Sequence, residues 1–248
     1  MHFLTILALT QMPWTTTLPP KGLAINFLRP KFDAGGTSLT SGTAYFTGRF
    51  PIDSEFSLRF ELGYAHLDAS GTTSSAISNP YVGFELARAK WTFGLGFRPA
   101  LAPDDEIAPE IGLYSDITQI EAWLPHVATL STRFAYHNRA ATGMIVDIGF
   151  APAGWIPTQG GDLELVVTHY GSLGYRGSKV WGALGLGGVL DVTADGDYGE
   201  RSFYQLGATV GLTQGQVRPA LHFLLPLDDA ITSDLDFMVG LGVGIAIK

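Results

Sequence analysis

The sequence predicts an all-β protein, a single closed antiparallel up-and-down transmembrane β-barrel of about twelve strands, and three observations carry that prediction. The first is alternation. Segment 236–247 places Phe237, Val239, Leu241, Val243, Ile245 and Ile247 on one face and Asp236, Met238, Gly240, Gly242, Gly244 and Ala246 on the other, because successive side chains of an extended chain point to opposite faces. One such strand suits any sheet with a buried face. About a dozen of them, carrying more apolar residues than one core of this size needs, imply a barrel whose apolar face is turned outward against lipid.

Composition is the second observation. The 248 residues are 46 % hydrophobic and only 15 % charged, with 31 glycines. Yet no run approaches the roughly 18 apolar residues of a membrane-spanning helix. The chain has no Cys, which excludes disulfides and thiolate chemistry, and a net charge of −8 argues against nucleic acid as a partner. Loop length is the third. Junctions 51–55, 88–89, 140–141, 176–178 and 214–215 are short. Those at 33–39, 69–76, 102–127, 152–161, 193–202 and 228–234 are longer, and alternate with the short ones. A barrel with tight turns at one end and loops at the other has this pattern.

Taken in order, residues 1–20 read as a signal remnant or linker. Phe3 to Leu9 is apolar, but no Lys or Arg precedes it, and Pro13, Pro19 and Pro20 break regular structure. The predicted strands are 22–32, 40–50, 56–68, 77–87, 90–101, 128–139, 142–151, 162–175, 179–192, 203–213, 216–227 and 235–247. In the third, Phe56, Leu58, Phe60, Leu62 and Tyr64 oppose Ser57, Arg59, Glu61 and Gly63; in the fifth, Trp91, Phe93, Leu95 and Phe97 oppose Thr92, Gly94, Gly96 and Arg98. Pro80 and Pro99 suit strand ends. Pro219 falls inside a strand, where it removes a ladder hydrogen bond and implies a bulge or a shorter strand.

By alternation, turn asymmetry and the amphipathic last strand, residues 21–248 resemble bacterial outer-membrane β-barrel proteins as a class, porin-like or transporter-like. Members usually end in Phe or Trp, whereas this chain ends Ala246, Ile247, Lys248. The resemblance implies a bacterial outer-membrane location, lipid and lipopolysaccharide as surroundings, and small solutes as cargo.

With the apolar face outside, Arg49, Arg59, Glu61, Glu85, Arg98, Arg133, His137, Asp147, Arg218 and His222 line the lumen. Both signs are present. They suit a water-containing passage for small solutes, or a lumen in which they pair and fill the interior. The 102–127 loop is the outlier, since loops beyond about 15 residues are usually functional or disordered. Its segment from Ile117 to Leu124 reads as a helical turn or two, with Ile117, Ile120 and Trp123 on one side, folding over or into the mouth as a constriction. Acidic residues of the longer loops, such as Asp104, Glu121 and Asp197, read as a solvated surface.

Lipid hydrolysis by such barrels needs a His and a Ser on one strand face near the rim. No His and Ser are separated by a single residue, and the His169 and Ser172 of one strand fall on opposite faces. There is no Gly-x-Ser-x-Gly and no metal-ligand spacing, so neither metal nor cofactor is expected. The expected function is a passive outer-membrane channel rather than an enzyme. The alternatives are a filled barrel acting through its loops or, less favoured, a lipid hydrolase.

Overall fold

The computed structural model describes residues 21–32, 39–69, 71–139, 142–232 and 235–247, and the reading of 1–20 as a signal remnant or linker lies outside them. The strands are β1 (Gly22–Phe32), β2 (Leu39–Pro51), β3 (Phe56–Ala69), β4 (Thr72–Ile77), β5 (Tyr81–Arg88), β6 (Trp91–Arg98) and β7 (Val127–Arg139). They continue as β8 (Gly143–Pro157), β9 (Glu164–Arg176), β10 (Val180–Asp191), β11 (Ser202–Leu212), β12 (Val217–Pro226) and β13 (Leu235–Ala246). All pairings are antiparallel. β1 pairs β13 from Gly22↔Ala246 to Phe32↔Leu235, which closes a twelve-strand barrel, and β4 pairs β3 alone as an extra strand.

That extra strand corrects the sequence reading. The predicted loop 69–76 holds all of β4 but Ile77, and this strand pairs the far half of β3 from Tyr64↔Ile77 to Ala69↔Thr72. The predicted strand 77–87 is broken at Ser78, Asn79 and Pro80, and β5 resumes against the near half of β3. Proline has no N–H for the ladder and holds the preceding residue extended, so the chain leaves the wall at this point. Pro99 follows the end of β6, whereas Pro219 stays inside β12, opposite Val243 on the outward face.

Alternation is realised as apolar out and mostly small or polar in. Leu184 and Leu221, both 64 % exposed, stand on the outer surface, while Arg59, Glu61 and Ala65 of β3 are buried. Cross-strand aromatic pairs brace the outer wall near the short turns. Ring centroids are 4.9 Å apart for Trp91 and Tyr136, 5.0 Å for Phe93 and Phe134 and 5.1 Å for Phe134 and Phe150. Such pairs add about 0.5–1.5 kcal/mol each beyond area burial. In the 51–55 turn, Asp53 Oδ1 accepts from the Phe56 and Glu55 backbone amides (2.7 and 2.8 Å), which holds its carboxyl below the usual range.

Between β6 and β7 the chain turns inward. It forms α1 (Ala108–Ser115) and a 3-10 segment, Ile117–Ala122, that breaks at Gln119. A short α2 (Asp229–Thr232) precedes β13. Near the long-loop end the barrel holds one apolar cluster made of Ile117, Leu28, Ala135, Tyr170, Leu224, Ile231, Leu235 and Met238. Below it the interior is mostly polar, with a small apolar cluster of Ile145, Trp181 and Ala183 toward the short turns.

Candidate lumen site

The charged residues of one part of the interior form a connected ion network. Its members come from β2, β3, β5, β6, β7 and the inserted segment, each at an inward position of its strand. Glu85 pairs with Arg49 and accepts from Arg59 Nη1 at 3.0 Å; Arg59 also pairs with Glu61. Arg98 donates to Glu61 Oε2 (2.6 Å) and, through Nε, to Glu121 Oε1 (3.0 Å). Its remaining donors reach the Asn79 carbonyl at 3.0 Å and Gln119 Oε1 at 3.1 Å. Arg133 Nη1 lies 3.9 Å from Glu61 Oε1. The side chains of Arg49, Arg59, Glu61, Glu85 and Arg98 are all 8 % exposed or less. Charges this dry persist only when paired and hydrogen-bonded.

Tyr81 is the floor of this network. The guanidinium carbons of Arg98 and Arg133 lie 5.1 and 5.8 Å from its ring centroid, within cation–π range. The Tyr81 side chain lies across Gly96 and Gly83, where an added Cβ would overlap its ring and hydroxyl. Gly96→Val is therefore expected to push Tyr81 off the wall and destabilise the barrel by about 1–3 kcal/mol. A lowered urea midpoint of the heat-shifted gel band would report it.

The inserted segment is fixed by side chains of the wall. Tyr45 donates to the Gly112 carbonyl and accepts from Trp123 Nε1, both at 3.0 Å. Thr43 and Ser115 hydroxyls meet at 2.7 Å, and Ile117 N donates to Gln205 Oε1 at 3.3 Å. Asn79 holds both ends of the insertion. Its Oδ1 accepts from Leu101 N (2.5 Å) and Ala102 N (2.6 Å). Its Nδ2 donates to the carbonyls of Leu124 (2.8 Å), Glu121 (3.3 Å) and Val127 (3.4 Å).

Six of the ten residues read as lumen-lining thus form one network: Arg49, Arg59, Glu61, Glu85, Arg98 and Arg133. His137 is separate, with Nδ1 2.6 Å from Asp147 Oδ1, and His222 Nδ1 meets Thr209 Oγ1 at 3.0 Å. Arg218 sits at a short turn and donates to the Gly215 carbonyl at 3.1 Å. Ile117 and Trp123 are buried, at 2 and 1 % exposure, but do not share a side with Ile120. The break at Gln119 sends Ile117 to the apolar cluster and Trp123 to Ala65, Ala76, Ala108 and Ala122, leaving Ile120 half-buried.

The acidic loop residues also divide. Glu121 belongs to the network, and buried Asp116 caps the 3-10 segment by accepting from Thr118 N at 3.0 Å. Asp104 is on the surface, where a hydrogen bond from His126 (2.5 Å) holds its carboxyl below the usual range. Sequence reasoning missed Asn79 and Tyr81. The Ser-Asn-Pro triplet inside an otherwise apolar stretch was the available signal for the first.

A closed twelve-strand antiparallel barrel with an apolar outer face, a polar interior and loops of unequal length at its two ends has the fold of the outer-membrane β-barrels. Solved structures bear this out. An outer membrane channel from Pseudomonas putida F1 superposes with a TM-score of 0.59 at 11 % identity, covering 95 % of this chain and 98 % of its own. The NanC porin gives 0.53 at 6 %, covering 91 and 100 %, and LpxR from Salmonella typhimurium 0.52 at 12 %, covering 91 and 100 %. At such identities the likeness is one of fold. No family model matches the chain, and no curated protein matches it.

Proposed function

We propose that the protein is a bacterial outer-membrane channel for small solutes, shut in this conformation by the segment between β6 and β7. The observation that carries this reading is the character of the obstruction. It is a single chain segment, anchored by Asn79 and by the Arg98–Glu121 pair, and the wall around it carries the polar side chains Asn26, Thr43, Thr47, Thr129, Ser131 and Gln205. Moving that segment would leave a lumen able to hold water. The long loops would then face outward and the short turns the periplasm, as in the general plan of these barrels. The similarity in fold to a channel and a porin supports the reading.

Bilayer conductance tests it, using the full chain beside a variant whose residues 104–123 are replaced by a short Gly-Ser bridge. The variant is expected to give discrete current steps roughly ten times those of the parent, on the scale of a bore intermediate between filled and porin-sized barrels. Absence of current in both, with a heat-dependent gel shift in both, would overturn it. The second reading is a filled barrel acting through its loops. The fully buried interior Leu224 and Met238, which have no use in a wet passage, favour that reading.

A further inference from the structure

The outer surface near the long-loop end brings together residues that the channel reading does not use. His66 of β3 and Ser75 of β4 are cross-strand partners at outward-facing positions. His66 Nδ1 lies 2.9 Å from Ser75 Oγ, and the Tyr64 hydroxyl donates to the same Oγ at 3.0 Å. A serine oxygen that accepts from Tyr64 still holds its own single proton, which it donates to the imidazole in the tautomer that leaves Nδ1 unprotonated. A nucleophile and a base within hydrogen-bond reach are thus already assembled.

Their height on the wall matters as much as the distance. One rung toward the apolar belt stand Tyr64 and Ile77, 42 and 57 % exposed; one rung beyond stand Asp68 and Thr73. The pair therefore sits where the apolar belt gives way to polar surface. In a bilayer, the ester linkages of a lipid lie at that same boundary between chains and headgroups.

Beside the pair the wall opens. β1 and β2 pair only as far as Leu28↔Thr43, although both strands run on toward the long-loop end. The gap contributes to a cavity of about 580 Å³ that Tyr64 and His66 line at one side. Apolar Phe27, Leu221, Val239 and Leu241 line it too, over a low floor at Gly42 and Ala44. That volume is within the usual range for a small-ligand site, and its lining suits an acyl chain. Arg29 lines the same cavity from the part of β1 that pairs β13 but no longer β2. A guanidinium there matches an anionic headgroup.

We infer that Ser75 and His66 form an acyl-ester hydrolase site open to the membrane, acting on an anionic glycerolipid of the surrounding leaflet. The acyl chain occupies the cavity and Arg29 holds the headgroup phosphate. Ser75 Oγ attacks the ester carbonyl carbon as its proton passes to His66 Nδ1. The tetrahedral intermediate collapses with cleavage of the bond to the alkoxy oxygen, which takes that proton and leaves as the lysolipid alcohol. Water then attacks the acyl-serine; its proton goes to His66 and returns to Ser75 Oγ as the fatty acid departs. Water is the only co-reactant. The chemistry does not depend on whether the barrel conducts.

The test uses the full chain folded into phosphatidylglycerol vesicles, with fatty-acid release and fluorophosphonate labelling as readouts. The expected result is label on Ser75 and release that falls by about 10²-fold or more in both Ser75→Ala and His66→Asn, the scale of a lost nucleophile or base. Thr73→Ala should retain full release. Arg29→Gln should slow release from phosphatidylglycerol more than from phosphatidylcholine vesicles. The heat-dependent gel shift of each variant separates lost chemistry from lost fold. No release and no label in the parent protein, or release undiminished in Ser75→Ala, would overturn the assignment.

Discussion

Replacing Glu61 by alanine is expected to cost the folded barrel about 3–5 kcal/mol, the scale of a buried ion pair broken from one side. Glu61 pairs with Arg59, lies 2.6 Å from Arg98 and 3.9 Å from Arg133, and its side chain is only 8 % exposed. Its removal leaves three guanidinium groups facing one another where little water can enter. The loss would be read as a lower urea midpoint for the heat-shifted species. The exposed pair Arg88 and Glu55, 3.1 Å apart with side chains 70 and 44 % exposed, is the comparison. Glu55→Ala should change stability by less than about 1 kcal/mol, because solvent already screens that pair. Equal effects at the two positions would show that the interior is far wetter than its burial indicates.

The second large effect is expected at Asn79, which is fully buried. Its amide accepts from Leu101 N and Ala102 N and donates at 2.8 Å to the Leu124 carbonyl, so one side chain ties the start of the insertion to its end. Asn79→Ala removes these bonds, leaving the buried Ala102 amide and the part-buried Leu101 amide and Leu124 carbonyl without that partner, at about 1–3 kcal/mol for a fully buried group left unsatisfied and less for the others. The insertion should then detach while the strands persist. Limited proteolysis should cut between residues 102 and 126 much faster than in the parent protein, and single-channel current should rise several-fold. Parent-like protease resistance would show that the Tyr45, Thr43 and Gln205 contacts hold the segment without Asn79.

The barrel wall was legible in the sequence because its cause is local. A residue facing lipid must be apolar whatever its partner, so period-two alternation shows wherever a strand crosses. The interior follows a different rule. There the decisive contacts join residues far apart in the chain, such as Arg98 with Glu61 and Arg49 with Glu85, and parity says which side chains point inward but not which ones meet. Glu121 read as loop surface because nothing in its neighbourhood reveals that the loop enters the barrel. The hydroxyl–imidazole pair was hidden for a related reason. Scanning along single strands for His and Ser on one face misses partners that come from adjacent strands, and Ser75 falls in a stretch that reads as a loop. The β4–β5 break was obscured because apolar Ile77 and Tyr81 flank the Ser-Asn-Pro interruption and continue the pattern across it.

The apolar cluster inside the barrel has a consequence for how the molecule assembles. Ile117, from the middle of the chain, packs with Leu28 of the first strand and with Leu224 and Met238 of the last two. The β1–β13 seam joins the two ends of the described chain, the pairing of greatest sequence separation and so the slowest to find its partner. Until that seam shuts, the groups that receive Ile117 are not gathered. Once it has shut, twelve hydrogen-bonded strands encircle the space the segment must occupy. The apolar contacts of Ile117 therefore form only once the first and last strands have met, so a seated insert reports that the wall has closed.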